Sequence, residues 1–306
     1  MNLKIVTCIF AAFIVSFLLL FAFSYFFPTN FSAAEKNFYS KNFDDGKKII
    51  LVGSSHVGQI NATFIEDSLA EKDYKVYNLA YQSDVPIKRS KTIDKIIRLK
   101  PTLVAYGVSY RDFDVPKDNP MFDPKEVFGD LISKVDFEPN NPKLMTLEKI
   151  HNLQRQSTTD ELTYENTPFF TYNTETQIPI LSQDMLEKQA AISEAPRINL
   201  GSSDSNKQVM SLIRSINAMK VNNIKVVLFT TPLHRTYLDG IDEHQKSTFE
   251  DILNRIKAET GTQVYDLTSR YSDMPIWANI SHVAFNVDSL IYSQDISDII
   301  QNELDS

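Results

Sequence analysis

A parallel α/β sheet is the fold class this sequence predicts, and three observations carry that prediction. Short apolar runs rich in β-branched residues alternate with segments whose apolar residues recur at helical spacing, the pattern of β-α-β units with helices on both faces. The runs are apolar at consecutive positions, as strands buried on both faces must be. The first of them, Ile49-Ile50-Leu51-Val52, passes directly into the small-residue turn Gly53-Ser54-Ser55, which suits a sharp strand-to-helix connection.

Each element follows in turn. Ala62 to Ala70 reads as a helix and Lys75 to Leu79 as the second strand. Ile93, Ile96 and Ile97 mark a helix that Pro101 closes off from the strand Thr102 to Tyr106. Val209, Leu212, Ile213 and Ile216 share one helical face, and Ile224 to Phe229 is the strongest strand of the chain. A helix over Phe249 to Ile256, a strand over Thr262 to Tyr265 and a closing helix over Ile291 to Leu304 complete five strands. Between Asp112 and Ser205 the alternation stops. That segment has short helical patterns at Val127 to Val135 and Leu144 to Leu153, and an aromatic tract, Phe169-Phe170-Thr171-Tyr172. An insertion of this length in a compact fold is usually functional. It leaves the sheet on the same rim as Ser55, where a cap would narrow access, with Phe169, Phe170 and Tyr172 as lining candidates.

Ahead of this body, Ile5 to Phe27 is a predominantly apolar run of 23 residues without charge. As a helix it spans about 34 Å, enough for a hydrocarbon core of about 30 Å. The length favours an uncleaved anchor over a signal peptide, although Phe31 to Ala34 offers a cleavage site. Residues 1–29 therefore read as a transmembrane anchor, 30–46 as a stalk and 47–306 as the domain, with its insertion at about 112–205. Lys4 lies on one side of the span, and Lys36, Lys41, Lys47 and Lys48 on the other. Taken literally, the positive-inside rule puts the domain in the cytoplasm. The short leading segment resembles secretory N-termini, and the expectation is a cell-membrane protein with its domain outside. The membrane is thus the first expected partner.

Without Lys4 the chain has 30 basic and 39 acidic residues, a formal charge of −9. An acidic body with no basic cluster excludes nucleic acid as partner. Cys8 is the single cysteine and lies in the apolar run, so the body forms no disulfide. Asn30, Asn61 and Asn279 open Asn-x-Ser/Thr triplets of low information. No zinc-type spacing and no Gly-x-x-x-x-Gly-Lys is present, and no cofactor is expected.

The chemistry-bearing pattern is Ser55 just after the first strand together with Asn279-Ile280-Ser281-His282 just before the last helix. A serine hydroxyl becomes a nucleophile when an imidazole takes its proton and a third group fixes that imidazole. Beyond the strand ends of an open parallel sheet is where such groups gather. With these residues in view, the chain resembles the SGNH/GDSL hydrolase superfamily over Lys48 to Ser109 and Asn223 to Glu303. Gly53-Ser54-Ser55 matches its nucleophile block, and Asn78-Leu79-Ala80-Tyr81-Gln82-Ser83 stands for its Asn-x-Gly-x-x-Gly-like turn. Gly107-Val108-Ser109-Tyr110 stands for Gly-x-Asn-Asp, and Asn279 to His282 for Asp-x-x-His.

The resemblance implies a flavodoxin-like three-layer sandwich with a parallel five-stranded sheet. It also implies ester chemistry by Ser55 and His282, with Asn279 orienting the imidazole and with Ser83 and Ser109 in the oxyanion hole. Three positions depart from the pattern. Ser83 replaces a glycine and must accept its dihedrals. Ser109 replaces an asparagine and reaches less far. Asn279 replaces an aspartate, keeping the tautomer-fixing role and losing charge. A carboxylate from elsewhere, Asp266, Asp273 or Asp288, is an alternative partner for the imidazole. His56, His234 and Arg235 are candidates for substrate binding on the same rim; His151 and His244 are assigned nothing. Two readings follow: an esterase or O-acyltransferase acting on acyl esters of surface glycans, or a catalytically degenerate module of the same fold that binds a glycan or a protein.

Overall fold

The computed structural model describes residues 37–41, 43, 46–115, 167–169, 180–192 and 198–306. The chain divides into two units, Met1–Phe43 and Asp44–Ser306; the second holds the sheet. Among the described residues no helix is long and apolar enough to cross a membrane. The span expected at 5–27 lies outside those residues, as do the helical patterns at 127–135 and 144–153 and the aromatic residues Phe170 and Tyr172.

Five parallel strands form one sheet in the order β2-β1-β3-β4-β5. They are β1 (Lys47–Val52), β2 (Tyr74–Asn78), β3 (Leu103–Val108), β4 (Lys225–Thr230) and β5 (Gln263–Tyr265). Ile49 pairs with Leu103, Leu51 with Ala105, and Ala105 in turn with Val227. These residues share one face because side chains alternate along a strand. That face is covered by α1 (Ala62–Ser68) and α8 (Leu290–Asp305), whose Ile65, Tyr292, Ile296 and Ile300 belong to the same buried cluster. The other helices pack among themselves: α5 (Lys207–Val221) meets α2 (Pro86–Ser90), α3 (Ile93–Arg98) and α7 (Glu243–Thr260).

The sequence reading holds for every expected strand and shifts most boundaries by one or two residues. The helix expected from Phe249 begins at Glu243 instead, because Asp242 caps it by accepting the Gln245 N–H. Two short strands were not expected. β6 (Trp277–Asn279) and β7 (His282–Val283) form an antiparallel hairpin outside the main sheet. Two further helices, α4 (Gln183–Ile192) and α6 (Arg235–Asp239), flank that hairpin.

Candidate active site

The Ser55 turn is built by close approach. Gly53 has φ +150°, and a Cβ there would lie 2.4 Å from Val57 Cγ2 and 2.6 Å from the Gly107 carbonyl. A Cβ on Gly107 would meet Val57 at 2.3 Å and the Phe229 ring at 2.7 Å. Glycine on both neighbouring strands makes room for Val57, whose N–H closes the turn on the Ser54 carbonyl at 3.0 Å. Asn78, fully buried at the end of β2, secures the next segment by donating to the Val57 and Ile60 carbonyls and accepting from the Ala80 N–H.

The histidine comes from the hairpin. Ile280 donates its N–H to Gln189 Oε1 of α4 and accepts from the His234 N–H; the Trp277 carbonyl accepts from Leu181. At its tip Asn279 Oδ1 accepts from the Ser281 N–H at 2.9 Å and from the Ser281 hydroxyl at 3.1 Å, an Asx-type turn. The same oxygen lies 3.1 Å from His282 Nδ1. An amide oxygen only accepts, so Nδ1 carries the proton and Nε2 presents its lone pair. Ser55 Oγ lies 2.8 Å from that Nε2, across 227 residues of sequence. Base and nucleophile are therefore in hydrogen-bond contact with the tautomer that proton abstraction needs.

The electrostatics are unusual for such a pair. Burial lowers the His282 pKa to about 4, and the Arg111 guanidinium adds to the effect; no carboxylate opposes it. The alternative carboxylates are engaged elsewhere. Asp266 accepts from the Thr230 hydroxyl and the Thr268 N–H, and Asp273 pairs with Arg235 at 2.6 Å. Asp288 is exposed at the start of α8. Asn279 is thus the group against His282, joined by Ser281, whose hydroxyl lies 3.0 Å from Nδ1.

Ser83 takes φ +55°, the left-handed conformation that glycine usually supplies. The turn is clamped by a buried ion pair. Arg89, 1% exposed, bonds Asp84 Oδ2 at 2.6 Å through Nε and the Leu79 carbonyl at 2.7 Å, and lies over the Tyr81 ring. Phe169, from the inserted segment, also stacks on Tyr81, with ring centroids 4.8 Å apart. Ser109 is differently placed. Its N–H and hydroxyl both donate to Asp112 Oδ2, at 2.6 and 3.0 Å, as the cap of a short turn at Tyr110–Phe113. Its one hydroxyl proton is committed to a carboxylate, so Ser109 has no second one for an oxyanion.

His56 packs face to face on His282, with centroids 4.4 Å apart and planes 5° from parallel. His234, expected on the same rim as a binding group, is bonded within the protein. His234 is 2% exposed, its Nδ1 bonded to Thr236 and its Nε2 3.3 Å from Gln183; burial lowers its pKa. Arg235, its side chain 63% exposed, pairs with Asp273 at 2.6 Å. Sequence reasoning missed Arg111, whose Nε donates to the Tyr237 hydroxyl and whose charge acts on both stacked histidines. It also missed Asp112 and Ser281. The Ser109-x-x-Asp112 spacing of a capping box was the available signal for Asp112. Among the described residues no group of His, Cys, Asp and Glu could hold a metal ion.

The fold is a five-stranded parallel α/β sheet with Ser55 after β1 and His282 ahead of the last helix. No family model matches the chain, and no curated protein matches it. Similar solved structures include TesA, at 11% identity and TM-score 0.41, over 84% of this chain and 98% of that one. The acetyl xylan esterase AlAXEase is 13% identical with TM-score 0.44, over 83% and 98%. A catalytic mutant of Axe2, an acetylxylan esterase from Geobacillus stearothermophilus, is 10% identical with TM-score 0.44, over 86% and 96%. The chemistry of the site stands on the chain's own geometry.

Proposed function

We propose that the chain is a serine hydrolase of acyl esters, or an O-acyltransferase using the same acyl-enzyme, with Ser55 as nucleophile and His282 as general base. The observation that carries this reading is the 2.8 Å contact of Ser55 Oγ with the unprotonated nitrogen of His282. Ser55 attacks the ester carbonyl as its proton passes to Nε2, and the leaving alcohol takes that proton back. Water then releases the acyl group in a hydrolase; a second alcohol takes it in a transferase. Asn279 holds the imidazole throughout. The oxyanion faces the N–H groups of Ser55 and Ser83, with Arg111 supplying positive charge nearby.

The anchor expected at residues 1–29 would hold the domain at the outer face of a membrane, where acylated glycans are the natural ester substrates; this part of the proposal rests on fold-level analogy and the apolar run. Purified protein should hydrolyse p-nitrophenyl acetate, and Ser55→Ala should abolish that activity. Equal activity in both forms would refute the assignment.

A second reading has its own observations. Asn279 brings no charge, and Ser109 is tied to Asp112. Losing one oxyanion donor typically costs about 10²–10³ in rate. Both features fit a module that keeps the fold to bind an acylated glycan or a protein without turnover. It expects no hydrolysis by the wild type and ligand affinity indifferent to Ser55→Ala.

A further inference from the structure

We propose that His56, tethered by Ser54, is a positioning residue for His282. This deepens the proposed function and rests on the Ser55–His282 pair. His56 is 7% exposed, and its Nε2 is buried with no hydrogen-bond partner. Its polar tether is Nδ1, 3.1 Å from Ser54 Oγ.

The tethered ring is laid flat on the general base, with ring centroids 4.4 Å apart. Asn279 and Ser281 hold His282 in its plane through Nδ1; the stacked ring restrains it out of plane and keeps Nε2 on Ser55. Burial, His282 and Arg111 all disfavour the charged form of His56, so the ring is neutral. When the proton leaves Ser55 Oγ for Nε2, the new imidazolium lies against a neutral aromatic face, an attractive arrangement.

The test compares the full-length protein with Ser54→Ala, which removes the His56 tether without touching Ser55 or His282. His56→Phe keeps a stacked ring without its tether, and Ser54→Thr is the rescue. Two readouts are needed: Ser55 labelling by a fluorophosphonate with p-nitrophenyl acetate kinetics, and the ring ¹⁵N resonances of His282. Ser54→Ala and His56→Phe should each lower kcat and the labelling rate about tenfold with KM unchanged, the net worth of about one hydrogen bond. Ser54→Thr should restore both. The His282 resonances should shift in Ser54→Ala. Unchanged labelling and unchanged His282 resonances in both loss variants would overturn the proposal. Should the wild type itself resist labelling, the esterase reading fails, and the NMR comparison still decides whether Ser54 governs His282. If Ser54→Ala does not fold, His56→Phe decides the matter by the same two readouts.

Discussion

Replacing Asn279 by aspartate returns a carboxylate to a position already built to receive one. Three hydrogen-bond donors converge on Asn279 Oδ1: the Ser281 N–H, the Ser281 hydroxyl and His282 Nδ1–H. Donors of this kind favour an ionised acid. His282 stands at about 4 against an ordinary 6.5, a difference of 2.5 units. At about 1.36 kcal/mol per unit, that places roughly 3 kcal/mol against the imidazolium that catalysis must form. A carboxylate oxygen at the 3.1 Å of the present amide would attract the imidazolium by about 5 kcal/mol at an effective dielectric of about 20. Burying the new charge takes back part of this, leaving on the order of 2–3 kcal/mol, or about 30- to 150-fold in rate. The assay is kcat/KM for p-nitrophenyl acetate against pH, whose acid limb reports the base in the free enzyme. The wild-type limb should fall near pH 4, as the imidazole is neutral and competent above its pKa. In Asn279→Asp the limb should move up by about two units while the plateau rises. A limb that stays in place, with an unchanged plateau, would refute the claim that Asn279 holds Nδ1.

Other consequences are simpler to check. Ser55→Ala should abolish esterase activity and leave the melting temperature within a degree or two, because the hydroxyl serves the site and not the core. Arg89→Met should destabilise the domain by about 3–5 kcal/mol in urea unfolding, since it leaves Asp84 charged and buried beneath the Ser83 turn. Asp112 is raised from 3.8 to about 7, chiefly by burial. The unfolded chain gives up that proton first, so stability should fall as pH rises from about 4 to about 7 and then level off. Asp112→Asn should flatten that slope in urea midpoints measured at about pH 5 and about pH 8.

What could be seen in the sequence follows from what each element requires. Strands such as Ile49–Val52 and Lys225–Thr230 are buried on both sides, so their apolar runs are unbroken and stand out. The hairpin Trp277–Val283 did not stand out, because its strands are three and two residues long and it is held by contacts with α4 and α6. The first turns of α7 are polar and exposed, and hid the helix start at Glu243. At the site, residue type sufficed for Ser55 and His282, which the structure brings together. For Ser83 the family's turn called for glycine-like dihedrals, and its φ is +55°, next to the buried Asp84–Arg89 pair. Residue type could not show that Asp112 accepts from the Ser109 hydroxyl, that Thr236 and Gln183 bond His234, or that Asp273 pairs with Arg235. Those facts depend on partners that only folding supplies.

The central claim is that Ser55 is an activated serine, and labelling by a fluorophosphonate probe tests it most directly. The wild-type protein should take up one probe per chain at Ser55, and His282→Ala, which removes the base and leaves the serine in place, should not label. A wild type that resists the probe while folded, or a His282→Ala variant that labels as fast as the wild type, would contradict the account.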